Sequence, residues 1–140
     1  MSFVDTNVLV YTTAHSAPFR NRARAALARL AAGEPLSVSR QILRVYIAVM
    51  TRPQTWGKAL TVAEATADAA AFVRRFTVLE DGPLVWDQLV ELSRHYSFGG
   101  RQVHDANVVA TMLAHGERRL LTFNAADFRR FTALIDVVTP

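Results

Sequence analysis

Three acidic side chains stand where the sequence predicts that a strand ends or a helix begins. Asp5 follows a short apolar run, Asn124 and Asp127 follow the predicted strand at 119–122, and Asp105 lies at the start of a predicted helix. Mg²⁺ and Mn²⁺ prefer oxygen ligands, usually one or two carboxylates completed by water and substrate phosphate. Bringing several carboxylates together is unfavourable unless a cation neutralises them. If the fold brings these residues together, they predict a divalent-metal site.

Short apolar runs alternate with helical patterns along the whole chain, which favours an α/β fold with a largely parallel sheet. Ser39 is a suitable N-cap for one helix, and Thr61 with Glu64 has the spacing of a capping box for the next. Functional groups in such folds gather beyond the carboxyl ends of the strands. The acids are therefore expected at one edge of the sheet. The predicted strands are 3–4, 36–38, 76–79, 119–122 and 134–138, and the predicted helices are 18–32, 40–51, 61–74, 83–96, 103–115 and 125–131.

The bulk composition indicates one globular domain over residues 1–140 and excludes several classes of protein. The chain is 51% apolar and 20% charged, without a linker or repeat, as is typical of a folded domain. It has no cysteine, which excludes disulfides and thiolate zinc sites. The first residues lack the basic region of a signal peptide, and no apolar run approaches the roughly 18 to 20 residues of a membrane span. We therefore expect a soluble, cytoplasmic protein with no membrane partner.

The basic charge is carried almost entirely by arginine. The net charge is +4, and Lys58 is the only lysine. Arginine binds phosphate in a bidentate way and stacks on bases, so this surface favours a nucleic acid or an acidic partner. A high-GC genome would produce the same bias without functional pressure, and charge alone does not separate the two explanations.

Three segments of the chain, in the same order and spacing, resemble the PIN-domain nucleases, particularly the VapC-like toxins of bacterial toxin–antitoxin pairs. The segments are Val4–Tyr11, His104–Asn107 and Leu121–Phe128. The resemblance covers essentially the whole chain. It implies a three-layer sandwich in which helices flank a central, mainly parallel sheet.

The resemblance also implies the roles of individual residues. Asp5 and Asp105 would be catalytic residues that bind Mg²⁺ or Mn²⁺, with Thr6 and Asn7 shaping the turn around Asp5. A further catalytic acid or amide belongs near the metal. Either Asn124 or Asp127 fits that position, and Asp127 is favoured.

The implied activity is endonucleolytic cleavage of RNA, and the implied partner is an antitoxin that blocks the active site. Thr6, Asn7 and Arg44 are candidates for contacts with the RNA substrate. A homodimer is also expected, because apolar residues are available for an interface. These residues are Trp56, Phe72 and Trp86.

The chain departs from the family pattern at Val45. Toxins of this kind usually carry a glutamate in an Arg-Glu-Tyr stretch, whereas this chain has Arg44-Val45-Tyr46. By helical spacing alone, Val45 belongs to an apolar stripe and would be assigned to the core; the other members are Ile42, Tyr46, Val49 and Met50. The family comparison instead indicates that one acid of the metal site is missing. We therefore expect weak metal binding and low activity, or none.

The same residues also fit other interpretations. A catalytically inactive module of the same fold, bound to an antitoxin or to RNA, is the main alternative, and the missing glutamate supports it. Asp105 could merely cap its helix, and His104 could be a general base or a packing residue. A phosphoacceptor receiver domain would need an acidic neighbour for Asp5, and a dinucleotide-binding fold would need a Gly-rich loop after the first strand; neither is present.

Overall fold

The computed structural model describes residues 1–140 and contains one sheet of five short strands. In spatial order the sheet runs β3-β2-β1-β4-β5, and every neighbouring pair is parallel. β1 is therefore central and delivers the chain to Asp5, while β4 beside it delivers the chain to Thr122. The strands are β1 (Ser2–Val4), β2 (Leu36–Ser39), β3 (Thr77–Leu79), β4 (Arg119–Leu121) and β5 (Asp136–Val138).

Helices connect the strands and flank the sheet, which confirms the predicted α/β alternation. α1 packs against α2 and α3, α3 packs against α4, and α5 packs against α6. The segment predicted as a last short helix is a 3₁₀ helix, Ala125–Phe131. The α-helices are α1 (Thr6–Thr13), α2 (Arg20–Ala31), α3 (Arg40–Met50), α4 (Val62–Arg75), α5 (Pro83–His95) and α6 (Gln102–Ala114). None of them is long and apolar enough to cross a bilayer.

The predicted helix starts follow the expected capping chemistry. The Ser39 hydroxyl accepts a hydrogen bond from the backbone N–H of Ile42 at 3.4 Å, which begins α3. At the start of α4, the Glu64 N–H donates to the Thr61 hydroxyl at 3.1 Å and the Thr61 N–H donates to the Glu64 carboxylate at 3.0 Å. This reciprocal pair satisfies two backbone donors that would otherwise lack partners.

The core lies on both faces of the central strands, and it includes one residue that we expected at a dimer interface. Phe72 is buried and packs edge-on against the fully buried ring of Tyr46, with their centroids 5.0 Å apart. It is therefore unavailable for a dimer contact, so that part of the expectation is wrong. Trp86 is 64% exposed on α5, whereas Trp56 is partly buried beside the cleft described below.

Candidate active site

Asp5 stands at the end of the central strand and caps the helix that follows. Its Oδ1 accepts a hydrogen bond from the Thr6 backbone N–H at 2.8 Å. Its Oδ2 accepts hydrogen bonds from the Thr122 hydroxyl at 2.7 Å and the Asn7 amide at 3.1 Å. Burial nevertheless raises the pKa of Asp5 above its ordinary value, against the lowering effect of these donors. A cation placed beside this buried carboxylate would stabilise its ionised form.

Two side chains tie the first sequence motif to the last. The Asn7 amide donates to the Thr122 hydroxyl at 3.1 Å, and its oxygen accepts from the Phe123 N–H at 2.9 Å. The Thr122 hydroxyl also accepts from the Asn124 N–H at 3.0 Å. Asn7 therefore organises the site around Asp5. The role of Thr122 was not predicted, although this residue lies within the third motif.

Asp105 lies in the first turn of α6 and is half-buried at the same cleft. The N-cap of α6 is Arg101, and no side chain caps this helix, so the interpretation of Asp105 as a mere cap is wrong. Burial is the main cause that raises the pKa of Asp105 from 3.8 to about 6, and the negative charges of Asp127 and Asp5 contribute to the same rise. The three carboxylates are therefore close enough to repel one another.

Asn124 and Asp127 both line the cleft. Asp127 lies in the first turn of the 3₁₀ helix, and Asn124 precedes that helix without making a side-chain cap. The charge of Asp127 contributes to the raised pKa of both Asp5 and Asp105. Asp127 therefore adds negative charge to the cleft, whereas Asn124 is an uncharged part of its lining.

The cleft formed by these groups has a volume of about 300 Å³ and is closed on one side by α3. Thr6 also lines it, but its hydroxyl donates to the backbone oxygen of Ile42 at 3.4 Å and so holds α1 against α3. The buried Gln41 amide, also on α3, donates to the His104 backbone oxygen at 2.8 Å and fixes α3 against α6. Gln41 was not identified from the sequence, because an isolated glutamine in an apolar helix has no signature.

Val45 faces this cleft and does not belong to the core. It is 39% exposed and lines the cleft beside Ile42 and Val49, while Tyr46 is fully buried. The assignment of Val45 to the core from helical spacing is therefore wrong. The part of the cleft wall that Ile42, Val45 and Val49 form is apolar.

Of the two other candidate residues, His104 and Arg44, only His104 lines the cleft. His104 lines it and is exposed, and its positive charge when protonated lowers the pKa of Asp105. Arg44 is exposed on α3 and is not part of the cleft lining. A contact between Arg44 and substrate would therefore have to form outside the cleft.

The donors in the cleft fit a hard divalent cation that keeps several waters. No group of three or more acidic, histidine or cysteine side chains is arranged to enclose a metal ion. Mg²⁺ needs no such cage, because one or two carboxylates, water and substrate phosphate complete its coordination. Asp5 and Asp105 are the carboxylates that would hold such an ion, and Asp127 adds a third acid to the lining of the same cleft.

The shifted pKa of Asp105 predicts that the metal-free protein loses stability as the pH rises from about 4 to about 6. The folded state binds the Asp105 proton more tightly than the unfolded state, so folding is favoured by protonation and this advantage is lost on ionisation. Because the side chain is only half-buried, we expect about 1 kcal/mol. Urea unfolding in EDTA at pH 4.5 and 7.5 measures the change. Asp105→Asn should remove that part of the pH dependence; parallel profiles for the two proteins would contradict the assignment.

Comparisons with known proteins agree with this fold. The family model for the PIN domain matches residues 2–134. The toxin VapC20 of Mycobacterium tuberculosis, described as cleaving the sarcin–ricin loop, is 20% identical, with a TM-score of 0.71 and 100% of each chain covered. A toxin–antitoxin complex from Klebsiella pneumoniae is 20% identical, with a TM-score of 0.71 and 100% of this chain and 98% of the other covered.

VapBC2 of Rickettsia felis, bound to a DNA fragment from its promoter, is 17% identical, with a TM-score of 0.70. The match covers 99% of this chain and 97% of the other. At these identities the structural likeness establishes the fold only. A comparison with curated protein sequences gives no significant match. The family match extends over nearly the whole chain and includes every carboxylate of the cleft, and on this basis the chain belongs to the PIN-domain family.

Proposed function

We propose that this chain is a divalent-metal-dependent endoribonuclease of the toxin type, inhibited by a cognate antitoxin, whose activity is lowered by Val45. The observation that carries the proposal is the convergence of Asp5, Asp105 and Asp127, distant in sequence, on one open cleft. PIN-domain membership supports a nuclease, and the toxin–antitoxin complexes of the same fold support an antitoxin partner.

Each residue of the cleft has a distinct task in this proposal. Asp5 and Asp105 bind Mg²⁺ or Mn²⁺, and Asn7 and Thr122 hold the Asp5 carboxylate in one orientation. Asp127 supplies a further acceptor for a water on the substrate side. The bound ion would lower the pKa of that water and neutralise charge that develops on the phosphodiester. The net charge of +4 favours association with the polyanionic substrate.

The second candidate function is a PIN-fold module without catalysis that binds an antitoxin or RNA. It is favoured by one observation, the apolar Val45 on the wall of the cleft. Homodimer formation remains a prediction, and of the three residues named for its interface only Trp86 is exposed.

Metal-dependent cleavage under single-turnover conditions distinguishes the two functions. Excess protein is incubated with a structured RNA that contains single-stranded loops, with Mn²⁺ or with EDTA, and Mn²⁺ binding is titrated by calorimetry. The ribonuclease is expected to bind Mn²⁺ saturably and to cut slowly at internal positions only when the metal is present. If the protein neither binds Mn²⁺ nor cleaves, the non-catalytic module is the correct function.

A further inference from the structure

Four aromatic rings form a continuous patch at one end of the cleft. The patch is centred on Tyr11, whose ring lies edge-on to those of Phe123 at 5.1 Å, Phe19 at 6.0 Å and Trp56 at 6.3 Å between centroids. Tyr11 and Trp56 also line the cleft that contains Asp5. The aromatic patch (Tyr11, Phe19, Trp56 and Phe123) is therefore continuous with the candidate active site.

Phe19 occupies its place in the aromatic patch at a conformational cost. It is the only residue other than glycine with a positive φ, at 59°, and its side chain is 52% exposed. A left-handed backbone costs a non-glycine residue on the order of 1–2 kcal/mol. Hydrophobic burial does not account for this conformation, because half of the side chain faces solvent. Its ring is stacked on that of Phe123, with centroids 5.6 Å apart and planes at 24°.

Arginine side chains surround the exposed ring. The Arg22 guanidinium lies 5.1 Å from the centre of the Phe19 ring and 5.7 Å from that of Phe123. A surface pocket of about 290 Å³ opens beside Phe19 and is lined by Arg20, Asn21 and Arg22. The Nε of Arg20 is buried without a hydrogen-bond partner. The positive charge of Arg22 thus lies against an exposed aromatic surface, with Arg20 beside it in the same surface pocket.

We propose that the aromatic patch stacks an unpaired base of single-stranded RNA next to the metal cleft, while Arg20 and Arg22 contact the adjoining phosphate. This inference rests on the proposed ribonuclease function and specifies the form of its substrate. Unstacked bases bind proteins mainly on aromatic rings and guanidinium planes, and backbone phosphates bind arginine. The aromatic patch supplies the rings and the neighbouring Arg20 and Arg22 supply the charge, while Tyr11 and Trp56 line the same cleft as Asp5.

Removal of the Phe19 ring tests the inference without disturbing the metal site. Phe19→Gly deletes the ring and suits the left-handed backbone, and relief of this backbone strain offsets part of the packing that is lost, so the variant is expected to fold. We expect its affinity for a short single-stranded RNA, measured by fluorescence anisotropy in EDTA, to fall about tenfold or more. Val62→Ala, at an exposed apolar position on α4, is the control and should leave the affinity unchanged.

A base-free probe separates stacking from charge attraction. In a Trp86→Phe background Trp56 is the only tryptophan, and its fluorescence should be quenched by the RNA but not by an abasic strand of equal length. Equal binding and quenching by both strands, or no loss of affinity in Phe19→Gly, would overturn the inference and leave the patch as a protein-docking surface. Metal-dependent cleavage that persists with those results would show that the ribonuclease proposal stands while the stacking site does not.

Discussion

Val45→Glu is expected to increase metal-dependent RNA cleavage about 10- to 1000-fold. The side chain at this position is 39% exposed and lines the cleft beside Asp5 and Asp105. A glutamate there adds a negative charge to the proposed metal site and an acceptor for a metal-bound water. The substitution also fits sterically, because the side chain extends into the cleft and displaces no packed core group. Single-turnover cleavage rates at saturating Mn²⁺ measure the effect.

Val45→Gln is the matched control for Val45→Glu, because glutamine has the size of glutamate and a polar oxygen but no negative charge. We expect it to cleave at close to the rate of the unchanged protein. A larger Mn²⁺ affinity should accompany the higher rate in Val45→Glu, and in EDTA this variant should be less stable because a further like charge enters the acidic cleft. Equal rates for all three proteins would show that position 45 does not limit the activity.

Asp105→Asn is expected to reduce cleavage about a hundredfold or more and to weaken Mn²⁺ binding below detection by calorimetry. The same change should make the metal-free protein more stable near pH 7.5, because it removes a charge that Asp127 and Asp5 repel. Loss of activity with a gain in stability distinguishes a metal ligand from a structural residue. Asp87→Asn, at an exposed acid of α5, should change neither quantity.

Asp5→Asn should likewise abolish Mn²⁺ binding and RNA cleavage. Unlike Asp105→Asn, however, it should destabilise the fold. The Asp5 carboxylate accepts hydrogen bonds from Thr6, Asn7 and Thr122, and an amide nitrogen cannot replace an accepting oxygen. Leaving such buried donors without a partner costs about 1–3 kcal/mol. The opposite effects of the two Asp→Asn changes on stability follow directly from their different surroundings. Similar destabilisation by both would contradict the assigned geometry.

Apart from α1 (Thr6–Thr13), which is absent from the predicted helices, the order of strands and helices was predictable because local signals and periodicity agreed along the chain. Ser39 and the Thr61–Glu64 capping box mark helix starts within one or two residues, and they do so through hydrogen bonds between near neighbours. The type of the last helix was not predictable in the same way. Residues 125–131 carry the pattern of a short helix, but their 3₁₀ geometry depends on packing against α6 and β5.

The candidate site was predictable as a set of acids but not in its details. Sequence motifs identified Asp5, Asp105 and Asp127, whereas the contacts of Thr122 and Gln41 join residues more than 60 positions apart. Helical spacing also failed at Val45, because an apolar stripe on a helix has edges that border solvent or a cleft. Only the packed structure shows that the stripe is buried at Tyr46 and open at its neighbour.

The most direct test of this account is a crystal structure of the protein soaked with Mn²⁺ and measured at a wavelength where manganese scatters anomalously. We predict one anomalous peak in the cleft, within coordination distance of a carboxylate oxygen of both Asp5 and Asp105, with water on the side of Asp127. No peak at saturating Mn²⁺, or a peak that contacts neither carboxylate, would contradict the central claim that these two residues hold the metal.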